Sequence, residues 1–152
     1  MSAAAVAAPT ARQVAVGVQD CEIHQLPKIV DHRGNLTFVE GERHVPFQVR
    51  RVFYVYDIPS GEQRGAHAHR RLHQMIVCLA GSMDVTLNDG TETRIVRLDR
   101  PWHGLHITPM IWASEGNFSP GTVYLVLASD PYDESDYLRD YDTYVAATKL
   151  LT

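Results

Sequence analysis

Turn signals punctuate this chain so closely that they leave little room for long helices. Asp31-His32-Arg33-Gly34, Pro59-Ser60-Gly61, Asn88-Asp89-Gly90, Pro101, Pro109 and Ser119-Pro120-Gly121 fall between short runs of β-branched and aromatic residues. Proline lacks the amide proton that a helix interior needs, and glycine supplies the positive φ of tight turns, so each cluster ends an element. The runs between them predict strands over 21–26, 35–40, 47–58, 66–69, 73–80, 83–87, 93–98, 104–108, 111–114 and 122–128. Asn88-Asp89-Gly90, flanked by two alternating segments, marks a hairpin tip. Many short strands with no helix between them predict an all-β sandwich or barrel.

The C-terminal end reads differently. Asp133-Glu134-Ser135-Asp136 offers helix N-caps and negative charge for the positive end of a helix dipole. Tyr137, Leu138, Tyr141, Tyr144 and Val145 then recur at helical spacing. A short C-terminal helix is expected, its aromatic stripe packing on the barrel or on a partner subunit.

A chain of 152 residues fits one domain and buries a core without disulfides. Met1 to Ala8 is rich in alanine and carries no early Lys or Arg, so 1–18 is expected to be a disordered tail rather than a signal peptide, with the domain over 19–152. A net charge of −4 argues against a nucleic-acid binder, which needs a basic stripe. Arg50-Arg51, Arg64 and Arg70-Arg71 do cluster, either as a solvated face or as a site for an anionic ligand such as a diphosphate. No apolar run is long enough to span a membrane. Cys21 and Cys78 are too few and too distant for a disulfide framework or a zinc site, and a reducing cytoplasm is the expected location.

The chemistry concentrates in Gly61, His67-Ala68-His69, Gln74 and Gly81. In a strand, residues i and i+2 point to the same side, so His67 and His69 project together. This spacing resembles the first motif of the cupin barrels, which implies a jelly-roll, or double-stranded β-helix, barrel. Metal-binding cupins carry Glu where this chain has Gln74, and bring a further His near the position of Pro109. Here no His follows that proline, and His106 precedes it. The incomplete ligand set leads us to expect no metal and two free imidazoles, whose usual pKa of about 6.5 suits proton transfer near neutrality. His24, His44 and His103 read as ordinary hydrogen-bonded residues. The spacing leaves His73 open between packing and chemistry.

Beyond that motif, Arg64-Gly65-Ala66-His67-Ala68-His69-Arg70-Arg71-Leu72-His73-Gln74, Arg51-Val52-Phe53-Tyr54 and Ser129-Asp130-Pro131-Tyr132-Asp133-Glu134-Ser135-Asp136-Tyr137 resemble the dTDP-sugar 3,4-ketoisomerases, cupin relatives of FdtA and QdtA. The resemblance covers essentially everything after the tail. It implies conversion of dTDP-4-keto-6-deoxyglucose to a dTDP-3-keto-6-deoxyhexose by a homodimer, without a cofactor, in deoxyaminosugar biosynthesis for antibiotics or polysaccharides. The hydrogen on C3 lies beside the C4 ketone, so its removal gives a delocalised enediol. By resemblance, His67 is the proton shuttle and His69 orients the sugar or relays hydroxyl protons. Arg64 adds positive charge, and Arg33, Arg51, Tyr54, Gln74 and Trp112 complete the expected substrate-binding set. Two departures stand out: Phe53 replaces the first of two tyrosines common in the family, and Ala113 follows Trp112 where the family tends to carry His or Arg. The competing readings are a 3,5-epimerase-like cupin and a non-catalytic sugar-binding cupin. Product analysis separates the first, and solvent deuterium incorporation the second.

Overall fold

In the computed structural model, which describes residues 16–151, antiparallel strands build two five-stranded sheets. The first runs β1 (Ile23–Gln25), β9 (His103–Ile107), β6 (Gln74–Ala80), β11 (Val123–Ala128), β4 (Arg51–Val55). The second runs β12 (Tyr137–Leu138), β5 (Arg64–His69), β10 (Trp112–Gly116), β7 (Met83–Asn88), β8 (Thr93–Leu98). A small hairpin of β2 (Lys28–Ile29) and β3 (Leu36–Thr37) stands apart, and α1 (Tyr141–Lys149) closes the described chain.

Period-two alternation sets which residues meet between the sheets. Met83, Val85 and Leu87 of β7 are buried while their neighbours are half-buried. They pack with Leu98 of β8 against Ile76, Cys78, Leu105 and Val126 of the first sheet. Cys21 and Cys78 are both buried free thiols. The all-β class and the short C-terminal helix are as the sequence predicts. The expected jelly-roll takes the form of two facing sheets, which among the described residues do not close into a continuous barrel.

Each expected strand overlaps an observed one, but two lengths change for a physical reason. Pairing in 35–40 stops at Thr37, because β3 has only the two-residue β2 beside it. In 47–58 only Arg51–Val55 lies along β11, and Asp57 turns away at φ 54. The sequence reading missed β2 and β12. Of the expected tail, 1–15 falls outside the described residues, but Val18 is buried in a 3-10 turn (Val18–Asp20) and Val16 packs on the core.

The aromatic stripe does not form one helix. Asp133 caps a 3-10 turn (Glu134–Asp136), accepting a hydrogen bond from Ser135 N at 3.0 Å. Tyr137 and Leu138 are extended and pair with His69 and Ala68 of β5. The α-helix starts only after Asp140, whose carboxylate accepts from Thr143 N at 2.9 Å. Tyr144 is fully buried, and its hydroxyl donates to the carbonyls of Met110 and Asn88. Among the described residues, no helix is long and apolar enough to cross a membrane.

Candidate active site

The site is built on an irregularity in β5. Opposite β10, His67 pairs with Ala113 and Gly65 with Ser114, which leaves Ala66 as an extra residue. Such a bulge twists its strand and re-aims the side chains that follow. Gly65 and Ala66 both take positive φ, at 80° and 61°. A Cβ on Gly65 would lie 2.2 Å from Glu115 Oε2 and 3.1 Å from the Ala113 carbonyl, so only glycine fits there.

Beyond the bulge, His67 and His69 sit edge to face with ring centroids 5.0 Å apart. Tyr137 of β12 lies against both, 5.0 Å from His67 and 4.3 Å from His69. His67 Nδ1 and both nitrogens of His69 are shut from solvent without hydrogen-bond partners. His69 Nδ1 is within ion-pair reach of Asp136 Oδ2 at 3.4 Å. That carboxylate is fixed by the backbone N–H groups of Arg71 (2.9 Å) and Leu72 (3.1 Å).

Burial lowers the pKa of His67, and the positive charge of Arg139 lowers it further. Arg139 is itself held by Glu134 through two bonds of 2.7 and 2.9 Å and stacks on Tyr137. Burial, and then His67, bring His69 down to about 4. Both imidazoles are therefore neutral at pH 7.

Two cavities adjoin the pair, and Tyr137 borders both. One, of about 180 Å³, is lined by His67, Arg64, Gln74, Phe53, Glu115 and Tyr124 among others. The other, of about 360 Å³, holds His69, Arg51, Arg71, Tyr132 and Asp136. Arg51 lies over the rings of Phe53 and Tyr132, and its Nε is buried without a partner. Among the described residues, no three His, Cys, Asp or Glu side chains converge as a metal ion would require.

Of the expected site residues, His67, His69, Arg51, Arg64 and Gln74 come together. Three do not. Alternation along β10 puts Ala113, paired with His67, on the inner face and Trp112 on the other face. There Trp112 packs beneath α1 against Tyr141 and Tyr144, at 5.3 and 5.5 Å. On β4, Arg51, Phe53 and Val55 face inward, so Tyr54 points out beside Tyr56. Arg33 is exposed in the β2–β3 turn, paired with Asp31 at 2.8 Å, and lines neither cavity. His73 also lies outside both cavities, its Nδ1 2.9 Å from His106 Nε2.

Sequence reasoning missed Tyr137 and Glu115. Tyr137 was absorbed into the helical stripe, because nothing local shows its pairing with His69. Glu115 lies just past the expected strand end at 114, and extending the Ala113 parity by two residues would have pointed to it.

Residues 19–149 match the family described as FdtA: WxcM-like, C-terminal. The chain is 45% identical over 117 residues to the TDP-4-oxo-6-deoxy-alpha-D-glucose-3,4-oxoisomerase of Aneurinibacillus thermoaerophilus, covering 77% of this chain and 84% of that one. The fold is similar to QdtA, a sugar 3,4-ketoisomerase from Thermoanaerobacterium thermosaccharolyticum solved with TDP, at a TM-score of 0.86 and 38% identity over 88% of this chain and 98% of that one. A His-to-Asn mutant of QdtA, in complex with TDP-4-keto-6-deoxyglucose, matches at 0.86 and 37% over 88% and 97%. The two-sheet arrangement is that of these cupin-like sugar isomerases. The bulged His-Ala-His strand, its facing sheets and this sequence identity agree: the chain belongs to the FdtA (WxcM-like, C-terminal) family.

Proposed function

We propose that this chain is a sugar nucleotide 3,4-ketoisomerase that converts dTDP-4-keto-6-deoxyglucose to a dTDP-3-keto-6-deoxyhexose. The observation that carries this reading is the His67–His69 pair: two neutral imidazoles set edge to face where two cavities adjoin, with His67 Nδ1 and both His69 nitrogens shut from solvent and not hydrogen-bonded. A neutral imidazole is a base, and the C3 hydrogen beside a C4 ketone is the acidic hydrogen of this substrate. His67 takes that proton, the electrons spread into an enediol, and the same imidazolium returns a proton to C4. The oxidation state moves within the sugar, so no redox cofactor is needed. His69, whose Nδ1 faces the Asp136 carboxylate at 3.4 Å, positions the ring.

The larger cavity supplies the nucleotide end. Arg51 and Arg71 carry positive charge, and Tyr132 and Tyr137 carry flat aromatic faces. Charge-assisted contacts to a diphosphate make dTDP binding weaken with salt. The chain works as a homodimer: β4 is a sheet edge whose outer face exposes Val52 and Tyr54, and the β2–β3 hairpin exposes Ile29, Val30 and Leu36. Light scattering should give twice the monomer mass. Two buried free thiols and a nucleotide-sugar substrate fit the cytoplasm, in a route to amino-deoxysugars.

The deciding experiment is NMR of the product formed from dTDP-4-keto-6-deoxyglucose. A ketone moved to C3 supports the assignment. An inverted C3 or C5 centre with the ketone still at C4 makes the protein an epimerase. Unchanged substrate without deuterium uptake makes it a binding protein.

A further inference from the structure

The 3,4-ketoisomerisation moves two hydrogens, and His67 accounts for one. The carbon-bound hydrogen leaves C3 and a proton arrives at C4. In addition, O4 must gain a proton as the C4 ketone becomes a hydroxyl, and O3 must lose one as C3 becomes the ketone. We infer that Glu115 carries out this second exchange as a catalytic residue in contact with O3 and O4, an inference that rests on the ketoisomerase reading above.

A protonated carboxyl has the form this step needs. It donates its O–H to O4 while His67 removes the C3 proton, which gives the neutral enediol and a Glu115 carboxylate. The carboxylate then accepts the O3 proton while the His67 imidazolium protonates C4. The C3–H and O3–H bonds break, C4–H and O4–H bonds form, and both groups return to their starting protonation states. C3 is oxidised and C4 reduced within one molecule, so no outside oxidant enters.

Geometry selects Glu115. It sits two residues beyond Ala113 on β10, hence on the face shared with His67. Its Oε2 occupies the space left by the missing side chain of Gly65, two residues before His67. That oxygen is closed to solvent and has no hydrogen-bond partner. Among the described residues lining this cavity it belongs to the only carboxyl, and Phe53 beside it offers no hydroxyl. The alternatives fit less well. Tyr124 is pushed up to about 12 by burial, which makes it a weak acid, and His69, at about 4, holds no spare proton at neutral pH. Burial raises Glu115 to about 7 against the opposing charge of Arg64, so a large fraction is protonated at working pH.

The test is Glu115→Gln, which keeps the shape of the protonated acid but has no proton to give. We expect kcat to fall on the order of 10²–10⁴-fold, with little change in KM and with TDP bound as in the wild type, the check that the fold survives. Wild-type kcat should also decline as pH rises through Glu115's pKa. Glu115→Gln should lose that alkaline limb, and Glu115→Asp should keep it at reduced rate. If Glu115 only holds Arg64 across the strands, Glu115→Gln raises KM and leaves the limb in place, which overturns the proposal. So does Glu115→Gln turning over within a few-fold of a wild type whose product NMR shows ketoisomerisation, or a wild-type kcat that stays flat above pH 7. A wild type that forms no 3-keto product fails the ketoisomerase reading first and takes this proposal with it.

Discussion

At the scale of single residues, the proposed mechanism depends on keeping imidazoles uncharged. His67 loses solvent on burial and faces the positive charge of Arg139, so its pKa falls below the ordinary value of about 6.5. A base must be neutral to act, so kcat/KM should rise with pH along an acid limb whose midpoint lies below 6.5. His67→Asn keeps much of the size and some hydrogen bonding but removes the transferable proton. Its turnover should drop on the order of 10²–10⁴-fold while TDP affinity changes little. Steady-state kinetics beside a TDP titration check both, and near wild-type turnover in a folded mutant would remove His67 from the mechanism. The pair itself was legible because the two-residue period of a strand is local information. Gln74 was legible because the motif spacing carries it, and Arg64 because the family resemblance does. Tyr137 and Glu115 were not, since each reaches the site through a strand pairing that no local pattern records. Tyr54 and Trp112 failed on parity alone, each one residue from an inward-facing neighbour, Phe53 and Ala113.

At the scale of elements, the β5 bulge links backbone conformation to the placement of His67 and His69. Sequence patterning located this strand but not the bulge, because an extra residue appears only against the partner strand. Gly65 and Ala66 have the same unusual φ sign but different neighbours, so their substitutions should diverge. Gly65→Ala places a methyl onto the Glu115 carboxyl and the Ala113 carbonyl at positive φ. It should destabilise the protein by more than about 1 kcal/mol, the cost of the left-handed backbone alone, and suppress activity by displacing Glu115 and His67. Ala66→Gly relieves a left-handed alanine at φ 61. It should leave thermal stability unchanged or raised by up to about 1 kcal/mol, with the gain trimmed by the greater freedom of an unfolded glycine. Thermal unfolding of the two variants side by side tests the pair. If both destabilise equally, the strain assigned to Ala66 is absent. The helix boundary carries the same lesson: Asp133 and Asp140 are both good caps by composition, and only the β12–β5 pairing decides that the α-helix waits for Asp140.

At the scale of the whole molecule, histidines buried neutral on both sheets make stability depend on acid. His106 of β9 is brought down to about 4 by burial and by its neighbours His73 and His24, and His69 of β5 reaches about 4 by burial and His67. In the unfolded chain these groups titrate near 6.5. Above 6.5 they are neutral in both states and contribute no pH dependence. Between about 6.5 and 4 the unfolded chain binds protons that the folded one refuses, so stability falls as pH falls. Below 4 both states are protonated and this contribution levels off. Glu115, raised to about 7 in the fold against 4.5 in the unfolded chain, works the other way and offsets part of this loss. With two histidines against one carboxyl the midpoint temperature should still drop from pH 6.5 to pH 4, and Glu134, held at about 2 by Arg139 against 4.5 unfolded, adds its own loss only below about pH 5. His106→Gln retains a polar partner for His73 but has no proton to take up. Its midpoint temperature should fall less between pH 6.5 and pH 4 than that of the wild type, even if it starts lower. A mutant whose midpoint falls as steeply as the wild type over that window would show that the His73–His106 contact is not where the acid sensitivity resides.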